Sequence, residues 1–239
     1  GYGLNDEGVE EEGGAKSSGS LDLNGFNVEV NKFVPVSGSI RGEGKLTVAE
    51  PVPDSHHYNK LSIAKGSNLN LESGGSLGVQ LDLEGVISVD GGKLTIKNPR
   101  ADGNGLIKIA KDATLQVSSN SGYRGLLGQW DVQNDGELYF AKAPGQVVGG
   151  VISGDGNVRI QGDLEQPQKV ITFAGANLYT GETIIDAGTL KVTGSLSDLS
   201  SLAVMNGGAY KVEQTDTIGS IRGNGSIQIG SGKTLTAGG

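Results

Sequence analysis

One pattern recurs along this chain and constrains its fold more than any other feature. It is a strand end, a Gly-x-Gly turn and a strand of alternating apolar residues, seen at Ser39–Val48, Val151–Ile160 and Ser220–Ile229. Looser copies fill the gaps, so the unit returns about every 20–25 residues. Such a period is typical of a solenoid, in which one coil is one repeat and extra residues leave as loops.

The units are predicted to be strands because their apolar residues alternate with a period of two. Leu21-Asp-Leu23, Leu94-Thr-Ile96 and Leu190-Lys-Val192 show the alternation. The 42 glycines also disfavour helices, since each glycine inside a helix costs about 1 kcal/mol. We therefore predict an all-β, right-handed parallel β-helix of about 9–10 coils. The alternatives are an antiparallel β-sandwich and a β-propeller, whose blades need about twice this period.

The strand phase predicts which side chains fill the core. Leu94, Leu115, Leu138 and Leu190 should point inward and stack, whereas Gln116 should face solvent.

Charge is distributed unevenly along the chain, and the composition excludes several classes of site. The net charge is −8, and acids gather near the start of the chain at Asp6, Glu7, Glu10, Glu11 and Glu12. We predict a mobile acidic segment over 1–18 and one β-helix over 19–239, read as part of a longer array. The chain has no cysteine, so no disulfide or thiolate metal site can form. No Lys/Arg cluster predicts nucleic-acid binding, and we expect no metal or cofactor.

One stretch carries a more specific signal than the general rhythm. Residues 171–192 contain Gly175, Asn177, Tyr179, Thr180, Gly181 and Thr183, followed by Ala187-Gly188-Thr189-Leu190-Lys-Val192. This segment resembles the autotransporter-associated β-strand repeat of bacterial type V secretion passengers. It departs from the family pattern at Glu182, where a second glycine is common.

The resemblance implies a β-helix displayed on the surface of a Gram-negative bacterium. In the full-length protein its partner would be its own C-terminal β-barrel translocator in the outer membrane. The repeat itself is associated with passenger secretion and folding. Lack of cysteine suits this route, because disulfide-closed loops formed in the periplasm would obstruct an unfolded passenger.

Three apparent chemical motifs are better explained as turns or loops. Gly74–Gly78 fits Gly-x-Ser-x-Gly, but neither a helix nor a later histidine follows. Gly230–Thr234 imitates the end of a P-loop without the first glycine or the following helix. His56 and His57 are adjacent on a proline-flanked stretch, so their side chains should point in opposite directions.

Enzymatic β-helices place paired carboxylates on one sheet. Asp82 and Glu84 share one face of one strand and form the best candidate pair. No two carboxylates are predicted at matching positions of neighbouring coils. The pattern thus favours a non-catalytic chain, with a polysaccharide lyase or hydrolase as the alternative.

Three predicted insertions could carry recognition residues: Pro51–Lys60, Asn98–Gly105 and Ser118–Gln129. They and their borders hold the candidates Tyr58, Arg100, Tyr123, Arg124 and Trp130, which are residue types frequent at binding hot spots. Tyr123 and Trp130 could instead pack onto the solenoid. The expected role is adhesin or stalk, or else a self-associating aggregation factor. Possible partners are a host glycan, a matrix protein or another copy of the chain.

Overall fold

The computed structural model describes residues 19–35, 37–54, 60–97, 101–118, 127–142, 145–162 and 170–238. These residues form strands and turns and contain no α-helix. Accordingly, the described part of the chain has no helix long and apolar enough to cross a membrane. Residues 1–18, predicted to be a separate mobile segment, lie outside the described residues.

The described residues contain 26 strands, most of them three to five residues long. In the first half they are β1 (Gly19–Asp22), β2 (Asn27–Val30), β3 (Gly38–Arg41), β4 (Gly44–Val48), β5 (Lys60–Ile63), β6 (Ser67–Leu71), β7 (Gly74–Leu77), β8 (Gln80–Leu83), β9 (Val86–Val89), β10 (Lys93–Ile96), β11 (Ala101–Asp102), β12 (Leu106–Ile109) and β13 (Thr114–Ser118). In the second half they are β14 (Asp131–Asn134), β15 (Glu137–Ala141), β16 (Val147–Val148), β17 (Ile152–Ser153), β18 (Asn157–Gln161), β19 (Val170–Phe173), β20 (Glu182–Val192), β21 (Ser201–Val204), β22 (Gly208–Val212), β23 (Asp216–Ile218), β24 (Ser220–Gly223), β25 (Ser226–Ile229) and β26 (Leu235–Ala237).

The strands stack in parallel as a β-solenoid of about 10 turns, which confirms the predicted parallel β-helix. A five-stranded sheet runs β1-β3-β5-β8-β11, and a seven-stranded sheet runs β17-β14-β12-β9-β6-β4-β2. A 12-stranded sheet begins with β7, β10, β13, β15 and β18, and continues through β20 to the remaining strands. A final pair joins β23 to β26.

Aliphatic ladders fill the interior between the sheets. In the large sheet Leu94 pairs in register with Leu115, and Leu115 pairs with Leu138. All three are fully buried, and burial of each leucine contributes about 1.5–3 kcal/mol. Gln116 is only partly buried and lies on the opposite face of its strand. The predicted strand phase is therefore correct over these coils.

Leu190 is also fully buried, but it does not belong to this ladder. Leu138 pairs with Val158, and Val158 pairs with Thr183. Leu190 pairs instead with Ile171 and Tyr210. The reason is that β20 is a strand of 11 residues whose first half pairs with β18 and second half with β19. The prediction that Leu190 stacks with the other three leucines is therefore wrong.

The last coil of the described residues is more open than the others. Ile221, Ile227 and Ile229 are 37%, 39% and 49% exposed, although they continue columns that are buried one coil earlier. Their partners Leu202, Tyr210 and Val212 are at most 1% exposed. At these three positions, contact with one neighbouring coil leaves more than a third of the inward side chain exposed.

Candidate functional site

Of the predicted recognition residues, Trp130 alone lies among the described residues. Tyr58, Arg100, Tyr123 and Arg124 lie outside them. Trp130 is 1% exposed, and its indole N–H donates a 2.9 Å hydrogen bond to the carbonyl oxygen of Asp102. Trp130 therefore packs onto the preceding coil, and in this conformation its ring is not available to a ligand.

The repeat-like segment begins with two glycines at places where neighbouring coils touch. A Cβ added to Gly175 would lie 2.2 Å from the carbonyl oxygen of Gly150. A Cβ added to Gly181 would lie 2.1 Å from that of Gly156. Both distances are far below van der Waals contact with a backbone atom. Any larger residue would push the two coils apart.

Asn177 joins its own coil to the coils on both sides. Its side chain is 1% exposed, and its Oδ1 accepts a hydrogen bond from the Ile152 amide at 3.3 Å. Its Nδ2 donates to the carbonyl oxygens of Gly175 at 3.0 Å and Ser195 at 3.1 Å. A carboxamide supplies both an acceptor and two donors, so asparagine satisfies three backbone groups at once.

Tyr179 and Thr183 form a buried hydroxyl pair. Both side chains are fully buried, and Tyr179 Oη lies 2.5 Å from Thr183 Oγ1. Burial raises the pKa of Tyr179, because the phenolate would be desolvated in the core. The side chain of Thr180, between them in sequence, is exposed, whereas its backbone N–H donates to Gly154 at 2.9 Å.

The remaining motif residues shape the second half of β20. Gly188 has a φ of +79°, which L-residues with a Cβ rarely adopt. It follows an irregular register at which Gln161 pairs with Ala187. Beyond it Leu190 enters the core and is fully buried. The glycine thus lets one strand bend from the ladder of β18 to that of β19.

Two buried polar residues, Tyr210 and Asp216, lie near this segment. They were not singled out in the sequence analysis. Tyr210 is fully buried, and its hydroxyl has no hydrogen-bond partner among the described residues. Asp216 is 7% exposed, and its Oδ2 accepts a hydrogen bond from the Leu196 amide at 3.0 Å. Asp216 shares the inward face of β23 with Ile218. That period of two was the signal that could have placed its carboxylate inside.

Burial raises the pKa of Asp216, and the nearby charge of Asp198 raises it further. Hydrogen bonds from the amides of Leu196 and Thr217 act in the opposite direction. Burial also raises the pKa of Tyr210, and the charge of Asp216 adds to this effect. The charge of Asp216 also raises the pKa of Tyr179.

Two carboxylates do occupy matching positions on neighbouring coils, contrary to the sequence analysis. Asp82 on β8 pairs in register with Asp102 on β11. Lys60 Nζ lies 3.0 Å from Asp82 Oδ2, and the hydroxyl of Ser62 donates to the same oxygen at 3.4 Å. The prediction failed because β11 is two residues long and carries no alternation that would reveal its register.

The outer surface carries ion pairs that are partly or mostly exposed. The strongest geometry is that of Arg222, whose Nε and Nη2 donate to Glu182 at 2.7 and 2.8 Å. The other pairs are Arg41–Asp22, Lys60–Asp82, Lys97–Asp54, Arg159–Asp186 and Lys191–Glu213. Most of them join residues of different coils, so the outer charges reinforce the stacking. Exposed pairs of this kind contribute little each.

Where the structure describes them, the apparent chemical motifs form a strand and a turn. Residues 74–77 form strand β7, and no helix follows them. Residues 230–233 form a turn closed by the Lys233 amide and the Gly230 carbonyl. His56 and His57 lie outside the described residues. Within the described ranges, no group of three His, Asp or Glu side chains is placed to hold a metal ion.

Comparison with known proteins adds no assignment to this picture. No family profile, no curated protein and no solved structure matches the chain.

Proposed function

We propose that this chain is a non-catalytic scaffold, the β-helix of a bacterial surface passenger that serves as a stalk or an adhesin. The observation that carries the proposal is the role of the repeat-like segment. Gly175, Asn177, Gly181 and the Tyr179–Thr183 pair all act between or beneath stacked coils. A motif whose side chains serve the stacking of coils suits a protein that acts as a structural scaffold.

The proposed setting follows from the resemblance of residues 171–192 to passenger repeats. The chain would be exported through its own β-barrel translocator and displayed on the outer membrane. As an adhesin it would bind a host glycan, a matrix protein or another copy of itself through its loops. As a stalk it would hold another module away from the cell.

The export role is tested by fusing residues 1–239 to an autotransporter β-barrel in a Gram-negative host. Surface display is measured with an N-terminal epitope, and folding by resistance to external protease. We expect the wild-type chain to be displayed and resistant. Asn177→Ala should lose resistance, because three backbone groups lose their partner. Thr180→Ala, an exposed change in the same motif, is the matched control. Failure of wild-type display, or full resistance of Asn177→Ala, would contradict the proposal.

A second candidate function is favoured by the register of Asp82 and Asp102. Neighbouring strands lie about 4.8 Å apart, and retaining glycosidases hold their two carboxyl groups about 5–5.5 Å apart. The alternative is therefore a polysaccharide-active enzyme with these two carboxylates on the five-stranded sheet. Glu84 belongs to the same region, since its Oε1 would lie 3.0 Å from a Cβ at Gly103.

The two functions are separated by screening the chain against acidic and neutral polysaccharides. The scaffold proposal expects no released product from wild type. The enzyme alternative expects product that is lost in both Asp82→Asn and Asp102→Asn. Asp22→Asn, an exposed carboxylate on the same sheet, is the control and should leave any activity intact.

A further inference from the structure

Among the residues that the structure describes, Asp216 in the last coils is the one buried acidic side chain. Asp216 is 7% exposed and bridges to the coil before it through the Leu196 amide. Its backbone N–H donates to the Thr234 carbonyl of the coil after it, at 3.0 Å. Asp216 therefore contributes directly to the stacking of three coils.

The same kind of contact is made by a neutral side chain earlier in the solenoid. Asn177 Oδ1 accepts from the Ile152 amide of the preceding coil, as Asp216 Oδ2 accepts from Leu196. The hydrogen bond itself thus requires no charge. A buried carboxylate gains the same bond at the added cost of desolvating its charge.

Nothing in the described surroundings neutralises that charge. None of the ion pairs of the described residues includes Asp216. Asp198 on the preceding turn is of like charge, and Tyr210 on β22 and Tyr179 are neutral phenols. The Tyr210 hydroxyl makes no hydrogen bond to Asp216 or to any other described group. The paired strand β26 contributes Leu235, Thr236 and Ala237, none of which titrates.

We propose that Asp216 is a pH-dependent latch, which takes up a proton as the medium becomes acidic and so holds the coils from Leu196 to Ala237 together more tightly. The neutral carboxyl keeps an oxygen that accepts from Leu196, as the amide of Asn177 does for Ile152. It no longer carries a buried charge beside Asp198. Acid therefore strengthens this end of the solenoid.

The direction of the effect follows from linkage. The pKa of Asp216 is raised in the folded chain, so the folded state binds more protons than the unfolded state. Its contribution to stability is complete below the ordinary aspartate pKa of about 3.9. That contribution is lost as pH rises through the raised pKa of the folded state.

Hydrogen exchange of single amides, followed by NMR from about pH 7.5 down to about pH 3.5, below the ordinary aspartate pKa of about 3.9, tests the latch. In wild type the protection factors of Leu196 and of β23 and β26 should rise several-fold relative to those of β13. Asp216→Asn should be protected at both pH values and should show no rise. Asp131→Asn is the matched control: Asp131 is exposed, yet its Oδ1 accepts from the Val151 amide at 2.8 Å. It should leave the rise at Leu196 unchanged.

A wild type without the rise, or an Asp216→Asn variant that retains it, would overturn the proposal. If Asp216→Asn does not fold, the carboxyl carbon of Asp216 is titrated in the wild-type chain. A midpoint above those of exposed aspartates supports the latch, and a midpoint at or below them refutes it.

Discussion

Tyr179 and Tyr210 are both fully buried, but the hydroxyl of Tyr179 is hydrogen-bonded to Thr183 and that of Tyr210 has no described partner. The two phenols therefore make a matched pair in one region of the core. Replacing each tyrosine by phenylalanine removes only the hydroxyl and keeps the ring. The two variants therefore compare the loss of a hydrogen-bonded hydroxyl with the loss of one that has no partner.

Tyr179→Phe should destabilise the fold by about 1–3 kcal/mol, since it leaves the Thr183 hydroxyl buried without its partner. Tyr210→Phe should be neutral or stabilising at neutral pH, because it removes a buried polar atom that makes no hydrogen bond. Urea unfolding of both variants measures the difference. Equal losses would show that the two hydroxyls are equivalent in solution, contrary to the structure.

Gly181→Ala should destabilise the solenoid by about 1–3 kcal/mol, as overpacked sites generally do. The reason is the 2.1 Å approach of its Cβ to the Gly156 carbonyl oxygen. Gly19→Ala is the control, since a Cβ there meets no atom within 4 Å. Thermal unfolding followed by circular dichroism compares them. A Gly181→Ala midpoint equal to wild type would mean that the coils are less closely stacked.

Leu115→Ala should cost about 2–5 kcal/mol through lost burial and the cavity left behind. Leu115 is fully buried between Leu94 and Leu138. Gln116→Ala, one residue along the same strand, should cost well under about 1 kcal/mol. The free energies of unfolding from urea titrations provide the check. Two equally mild changes would place Leu115 outside the core.

Small-angle scattering should show an elongated particle. About 10 turns at about 4.8 Å per turn give a rod of about 48 Å. Circular dichroism should show strand and almost no helix. A compact particle of the same mass would contradict the solenoid.

The strand phase could be predicted from sequence because a period of two is a local property. It correctly placed Leu94, Leu115 and Leu138 in one ladder. The sheet that a strand joins depends on the length of the turns between strands. The alternation of apolar and polar residues carries no information about those lengths. Leu190 was therefore assigned to the wrong column, because β20 bends between two ladders without an intervening loop.

In the candidate site, too, local features could be predicted from the sequence, whereas contacts between coils could not. The repeat-like residues were singled out by their resemblance to a passenger repeat, but the partners of Asn177 include groups on other coils, which come together only when the coils stack. The Asp82–Asp102 register was missed because it is fixed by backbone pairing between coils. Asp216 was missed because a charged residue is rarely assigned to an inward position.

The continuity of β20 has a mechanical consequence. Its 11 residues pair with β18 and β21 at one end and with β19 and β22 at the other. A pull applied to either wall of the solenoid at this level reaches the other wall through one strand that bends at Gly188, with no loop between the two halves. This level should resist shear between the walls more than levels where a turn joins them, and should yield last when the rod is torn open sideways.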